Sequence, residues 1–147
     1  MTDDEPLRVT FDVEVPIEHA FDVWTSRTGL WWPRGHTVSG EPESVVFEPF
    51  AGGRIVERGG DGREHVWGEV TVWDAPRRLA FRWHLFFDAD EATDVTMDFE
   101  PFDGGTRIHL EQSGFERLGE SGARRREGTV HGWAATSSAY QAYVEAP

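Results

Sequence analysis

From Arg8 to Val15 apolar and polar residues alternate without a break, Val9, Phe11, Val13 and Val15 taking one face and Arg8, Thr10, Asp12 and Glu14 the other. Successive side chains of an extended chain point to opposite faces, so this period of two predicts a half-buried strand. At Pro16 the period changes. Ile17, Ala20, Phe21 and Trp24 recur at spacings of three and four, which predicts a short amphipathic helix with Pro at its first position, where a missing N–H loses no intrahelical bond. A second short helical piece is expected over Arg27 to Trp32, before Pro33 stops it.

From Ser44 the pattern reverts to strands. They are expected at Ser44 to Glu48, Arg54 to Arg58, Glu64 to Trp73, Arg78 to Phe87, Asp94 to Glu100 and Thr106 to Gln112. Between them lie Ala51-Gly52-Gly53, Gly59-Gly60-Asp61-Gly62, Asp74-Ala75-Pro76, Ala89-Asp90-Glu91 and Asp103-Gly104-Gly105, turn residues that permit or preset unusual backbone angles. Consecutive strands with short connections form an antiparallel meander, and the lack of intervening helices excludes a doubly wound parallel sheet.

A long helix closes the chain, starting between Ser121 and Thr129 and running to about Glu145. Ser121 suits an N-cap, but Arg124, Arg125 and Arg126 would then sit near the first turn, where the helix dipole disfavours cations. A solvated helix face is the reading given to that short run of Arg. The inward stripe is read as Val130, Trp133, Ala134, Ser137, Tyr140 and Val144. Apart from Trp133 and Tyr140 the inward residues are small, so this helix either packs very close to its sheet or leaves a hollow. The element order gives an α+β, helix-grip architecture, a curved antiparallel sheet wrapped around the C-terminal helix with two short helices after the first strand. If the first strand pairs with the last, the strands enclose most of that helix.

Composition narrows the function. At 147 residues the chain is expected to form one domain, 1–147, with its core in about 8–145. Its 10 Phe, 7 Trp and 2 Tyr exclude a disordered chain of low hydrophobicity. Acidic residues outnumber basic ones 27 to 14, for a formal charge of −13, a field that repels nucleic acid and anionic membranes. Every basic residue is Arg, which excludes a Schiff-base or phosphate-loop lysine. Without Cys there is no disulfide framework, zinc-thiolate site or thiol nucleophile. No apolar run approaches the length of a membrane span, and Met1 to Glu5 is acidic where a signal peptide is basic, so a cytoplasmic location is expected.

Several strings resemble a known family. They are V-P-I-E-H-A-F-D-V-W-T (Val15 to Thr25), L-W-W-P (Leu30 to Pro33), F-E-P-F-A-G-G-R (Phe47 to Arg54), W-G-E-V-T-V-W-D-A-P-R-R-L-A-F-R-W (Trp67 to Trp83), G-G-T-R-I-H-L-E-Q-S-G-F (Gly104 to Phe115) and H-G-W-A (His131 to Ala134). Together they resemble the activator of heat-shock-protein ATPase homologue family, within the SRPBCC or START-like (birch-pollen-allergen-like) superfamily. The resemblance runs from about Val9 to Glu145 and implies the helix-grip fold. It also implies a choice of roles, since such proteins include hydrophobic-ligand carriers, aromatic polyketide cyclases and co-chaperone modules tied to stress responses.

The candidate site follows from the aromatic residues. Trp24, Trp31, Trp32, Trp67, Phe81, Trp83, Met97, Trp133, Ser137 and Tyr140 are the expected lining of a ligand cavity, with Trp133, Ser137 and Tyr140 on one wall and Trp67, Phe81 and Trp83 opposite. Ordinary core packing of the same residues is the competing reading. Val72 is assigned to the inward face with Val70, and adjacent Trp31 and Trp32 are expected to diverge, one of them toward a rim. The six His are scattered without metal-ligand spacing, so no metal and no cofactor is implied. Only His65 and Glu69, sharing strand parity with Trp67, stand as weak catalytic candidates, an acid/base pair if that face is inward. Three functions remain open: binding an apolar or aromatic small molecule, modulating a chaperone ATPase, and polyketide cyclase or aromatase chemistry.

Overall fold

Seven antiparallel strands in the order β1-β7-β6-β5-β4-β3-β2 form the sheet of the computed structural model, which describes residues 5–146. The strands are β1 (Leu7–Val13), β2 (Pro42–Phe47), β3 (Arg54–Gly59), β4 (Glu64–Asp74), β5 (Arg78–Trp83), β6 (Thr93–Phe102) and β7 (Gly105–Ser113). The first strand pairs with the last along its whole length, from Leu7 opposite Gln112 to Val13 opposite Thr106. Helices α1 (Ile17–Ser26) and α2 (Thr28–Trp31) follow β1, and α3 (Gly122–Val144) closes the chain. This is the helix-grip architecture: Trp133 of α3 meets Trp83 of β5, and Tyr140 meets Phe11 of β1. No helix among the described residues is long and apolar enough to cross a membrane.

The short helices begin where the periodicity changes. Pro16 is the residue before α1, extended at φ −62°, and its carbonyl accepts the Ala20 N–H at 2.9 Å. Ala20, Phe21, Val23 and Trp24 are buried. Thr25 and Thr28 lie inside the core with their hydroxyls donating back to the carbonyls of Phe21 and Trp24, which satisfies them where no water reaches. Trp31 and Trp32 are both buried, because the chain leaves the helical conformation between them. Trp31 donates its indole N–H to the Val23 carbonyl and packs on Trp24, whereas Trp32 swings toward Trp67, Trp83 and Trp133.

Two bulges in β4 change what the alternation predicts. Against β3, Ile55 faces Gly68 and Val56 faces Val66, so Trp67 is an extra residue; against β5, Val70 faces Phe81 and Val72 faces Ala80, so Thr71 is another. Each extra residue reverses strand parity. Val72 is therefore exposed, contrary to its expected inward place, and Trp73 turns in to meet Phe21. Gly68 follows the first bulge so close to β5 that a Cβ there would lie 1.9 Å from the Arg82 carbonyl oxygen. No larger residue fits.

One boundary and one cap differ from expectation, while the start of α3 falls within the expected range. Strand β5 ends at Trp83 rather than Phe87, because the chain turns: the Phe87 N–H bonds the His84 carbonyl at 2.6 Å and Phe86 has a φ of 72°. A 3₁₀ segment, Phe115–Ser121, feeds directly into α3 at Gly122, and Ser121 donates to the Leu118 carbonyl instead of capping.

The inward stripe of α3 is Trp133, Thr136, Tyr140 and Val144, while Val130 and Ala134 are exposed and Ser137 is half-buried. Two of the three Arg at the start of α3 are engaged rather than solvated: Arg125 donates to the carbonyls of Glu91 and Trp83, and Arg126 to those of Glu5 and Pro6, while Arg124 is exposed as expected. Those carbonyls compensate cations placed at the disfavoured end of the helix dipole.

Candidate functional site

The middle of the grip is solid. Trp24, Trp67, Phe81, Met97 and Tyr140 are fully buried, and Trp24 stands 4.7 Å from Trp31 and 5.0 Å from Tyr140 between ring centroids. The Tyr140 hydroxyl donates to the Ala20 carbonyl at 2.6 Å, and burial pushes its ionisation well above the ordinary range. The two rings meet edge to face, the favoured arrangement of aromatic pairs. Among the described residues the Trp24 indole N–H is the one buried side-chain polar atom without a hydrogen-bond partner.

The open space lies beside this cluster. A pocket of about 440 Å³ opens between the N-terminal half of α3, the turn after β5 and Trp32. Of the expected lining residues it gathers Trp32, Trp83 and Trp133, while Trp24, Trp31, Trp67, Phe81, Met97, Ser137 and Tyr140 lie outside it. The reason is steric: Trp24 and Trp31, carried in by α1 and α2, occupy the volume between Tyr140 and the sheet.

The floor is built from indoles and one amide. Trp83 and Trp133 lie 5.8 Å apart and 31° from parallel, and Trp32 stands on edge to Trp133 at 84°. Gln112, 1% exposed, accepts the Trp133 indole N–H on Oε1 at 2.6 Å and donates from Nε2 to Thr93 Oγ1 at 2.8 Å. The Trp32 indole donates to the His36 carbonyl. With their N–H groups tied down, Trp133 and Trp32 are held in fixed orientations.

Helix α3 supplies the roof through Gly128, Thr129, Gly132 and Thr136. Nothing lies within 4 Å of a Cβ built on Gly128 or Gly132, so neither glycine is required by a close approach of backbone. The helix does leave a hollow beside its small residues, on a face turned away from Ala134 and Ser137. Phe86 and Phe87 form the outer wall, 59% and 44% exposed. Arg125 reaches in from α3, its guanidinium 3.8 Å over the Phe87 ring. Burial lowers its pKa, partly countered by the charge of Glu91, yet a guanidinium stays protonated.

Glu57 supports the site from behind. Its carboxylate is fully buried and accepts four hydrogen bonds, from the Val38 and Ser39 amides, the Ser39 hydroxyl and the Trp67 indole. Burial pushes its pKa up, but the donors of Ser39, Val38 and Trp67 outweigh that and hold it below the usual carboxylate value. The carboxylate ties the segment after His36 to the sheet. His65 lies opposite Glu57, half-buried, whereas Glu69 is exposed and faces Arg54 and Arg82. The bulge at Trp67 separates them, so they form no acid/base pair, and neither lines the pocket.

The family model described as Activator of Hsp90 ATPase homolog 1-like protein matches residues 14–145. No curated protein matches the chain. Among solved structures, CalC from Micromonospora echinospora, described as a self-sacrificing resistance protein, is 28% identical with a TM-score of 0.76, covering 97% of this chain and 96% of its own. The anthrahydroquino-gamma-pyrone synthase Txn09 is 32% identical with a TM-score of 0.65, covering 98% and 99%. The protein MLL2253 from Mesorhizobium loti, 21% identical with a TM-score of 0.70 over 93% and 94%, shares the fold.

Proposed function

The chain belongs to the Activator of Hsp90 ATPase homolog 1-like family, in the SRPBCC superfamily, and on that premise we propose that it binds a planar aromatic small molecule in the pocket beneath α3. The observation that carries this reading is the pocket itself: about 440 Å³, floored by Trp32, Trp83 and Trp133, under a helix with two glycines that no neighbour requires. That volume falls in the range of small-molecule sites, and flat indole faces suit fused rings. Two structural relatives support it. One is named as a synthase of a fused aromatic pyrone and the other as a resistance protein.

Binding rather than catalysis is the reading favoured. His65 and Glu69 stand apart, so acid/base chemistry would fall to His36 and His131, which line the pocket. A cyclase-like activity is the second reading, resting on those two imidazoles and on the synthase relative. A chaperone-directed role rests on the family description alone. The proposal treats 1–147 as one domain.

The test is a thermal-shift titration of the full chain with fused-ring aromatics such as anthraquinones, beside a Gly132→Leu variant that fills the pocket. A ligand at 100 times its dissociation constant adds about 2.7 kcal/mol of stability. Wild type is expected to shift and Gly132→Leu is not. Equal behaviour of the two proteins would overturn the assignment of the pocket.

A further inference from the structure

The pocket differs in charge from the protein that contains it. The chain carries 27 acidic residues and a formal charge of −13, yet no Asp or Glu lines the pocket, while Arg125, His36 and His131 do. An exposed lining drawn from such a composition would hold acids as readily as bases. Here they are segregated.

Arg125 is the strongest of the three. One of its N–H groups donates to the Glu91 carbonyl and another to the Trp83 carbonyl, and its flat face covers Phe87. A guanidinium has five N–H donors, so the remaining ones are free to meet a ligand. Among the described residues no carboxylate forms an ion pair with it, whereas Arg78, Arg107 and Arg117 each hold an aspartate at 2.7 Å or closer. The charge of Glu91 acts on this partly buried cation without touching it, so its direct partners are carbonyls, and a planar fork of donors matches a carboxylate in geometry as well as sign. The contact with the Trp83 carbonyl also puts this fork at the edge of the indole floor.

We infer that the pocket selects an aromatic acid, its rings against Trp83, Trp133 and Phe87 and its anionic oxygens on the guanidinium of Arg125. The inference rests on the small-molecule reading above and names the class of ligand. Gln112 is too deep and too fully bonded to supply the charge recognition, so Arg125 sets the preference. His36 and His131 add ring N–H groups to the same lining.

The experiment compares two probes of one shape, anthraquinone-2-carboxylate and anthraquinone-2-carboxamide, by calorimetry on the full chain. Wild type is expected to bind the carboxylate at least about tenfold more tightly, the scale of one charge-assisted hydrogen bond. Arg125→Gln should bring the two affinities within about twofold. Arg124→Gln, an exposed neighbour outside the pocket, should leave the preference intact. The wild-type comparison stands even if Arg125→Gln folds poorly. If the carboxamide binds wild type as well as the carboxylate does, selection of an acid is overturned and the pocket reading survives. If neither probe binds, both fall.

Discussion

Gly128 and Gly132 give the sharpest stability test, because in the interior of α3 they run against helix propensity. A glycine there is less favourable than alanine by about 1 kcal/mol, since it loses more backbone freedom on folding. Such a loss is usually offset by close packing, but a Cβ at either position meets nothing within 4 Å. Both line the pocket. They are four residues apart, so the two added methyls lie about 5–6 Å from each other, nearer than independent sites, and the effects sum because each acts on the backbone entropy of its own residue. The double variant Gly128→Ala, Gly132→Ala is therefore expected to gain about 2 kcal/mol. At about 2–4 °C per kcal/mol for a chain of this size, the melting temperature rises by roughly 4–8 °C in differential scanning calorimetry. The same variant should bind anthraquinone-2-carboxylate more weakly, since each methyl projects into the space a ligand needs. A variant no more stable than wild type would show that the glycines answer a backbone requirement. A variant that gains stability and binds as well as wild type would show that the space above the indole floor is not a ligand's.

Two further outcomes test the surroundings of the site. Phe86 has a φ of 72° and is 59% exposed, a conformation that costs a bulky residue about 1 kcal/mol or more. Phe86→Gly should leave stability unchanged or raise it by up to about 1 kcal/mol, as read in urea unfolding, while probe affinity falls. Glu57→Gln replaces an acceptor-only carboxylate by an amide whose N–H groups face the donors of Ser39, Val38 and Trp67, and should cost about 2–4 kcal/mol. Because the folded Glu57 pKa lies below its ordinary value of 4.5, its contribution is fully present above that pH. It is lost as pH falls through the lower folded value. Urea midpoints between neutral and acid pH should therefore converge for wild type and Glu57→Gln, and parallel curves would contradict the assignment.

The element order was legible because it is written locally. The alternation of Arg8 to Val15, the three-and-four spacing after Pro16 and the glycine-rich turns each depend on a few neighbouring residues. Bulges are not written that way. Around Thr71 nothing in the string shows a residue unopposed across the strand, and at Trp67 the one sign is the neighbouring Gly68, so parity carried Glu69 and Val72 to the wrong face. On α3, Trp133 and Tyr140 set the direction of the stripe, but Ala134, Ser137 and Thr136 differ too little in hydropathy to rank without their neighbours. The pocket moved for a related reason. Aromatic content announced that large rings face α3, but only packing shows that Trp24 and Trp31 take the central volume and leave the space at Trp32, Trp83 and Trp133. Gln112 was the signal available and unread: it continues the inward face of Ile108 and Leu110 and is polar. Arg125 carried no local mark, since its role comes from carbonyls at Glu91 and Trp83, distant in sequence.

The indole N–H resonances test the central claim most directly, because the 7 Trp report from different depths. Proton–nitrogen spectra of the labelled chain during titration with anthraquinone-2-carboxylate are predicted to shift the indole signals of Trp32, Trp83 and Trp133 most. Trp73, packed on Phe21 away from the pocket, should stay in place. Saturating shifts confined to that set would support a ligand seated on the indole floor beneath α3. Unmoved spectra, or shifts largest at Trp24 and Trp67, would contradict it.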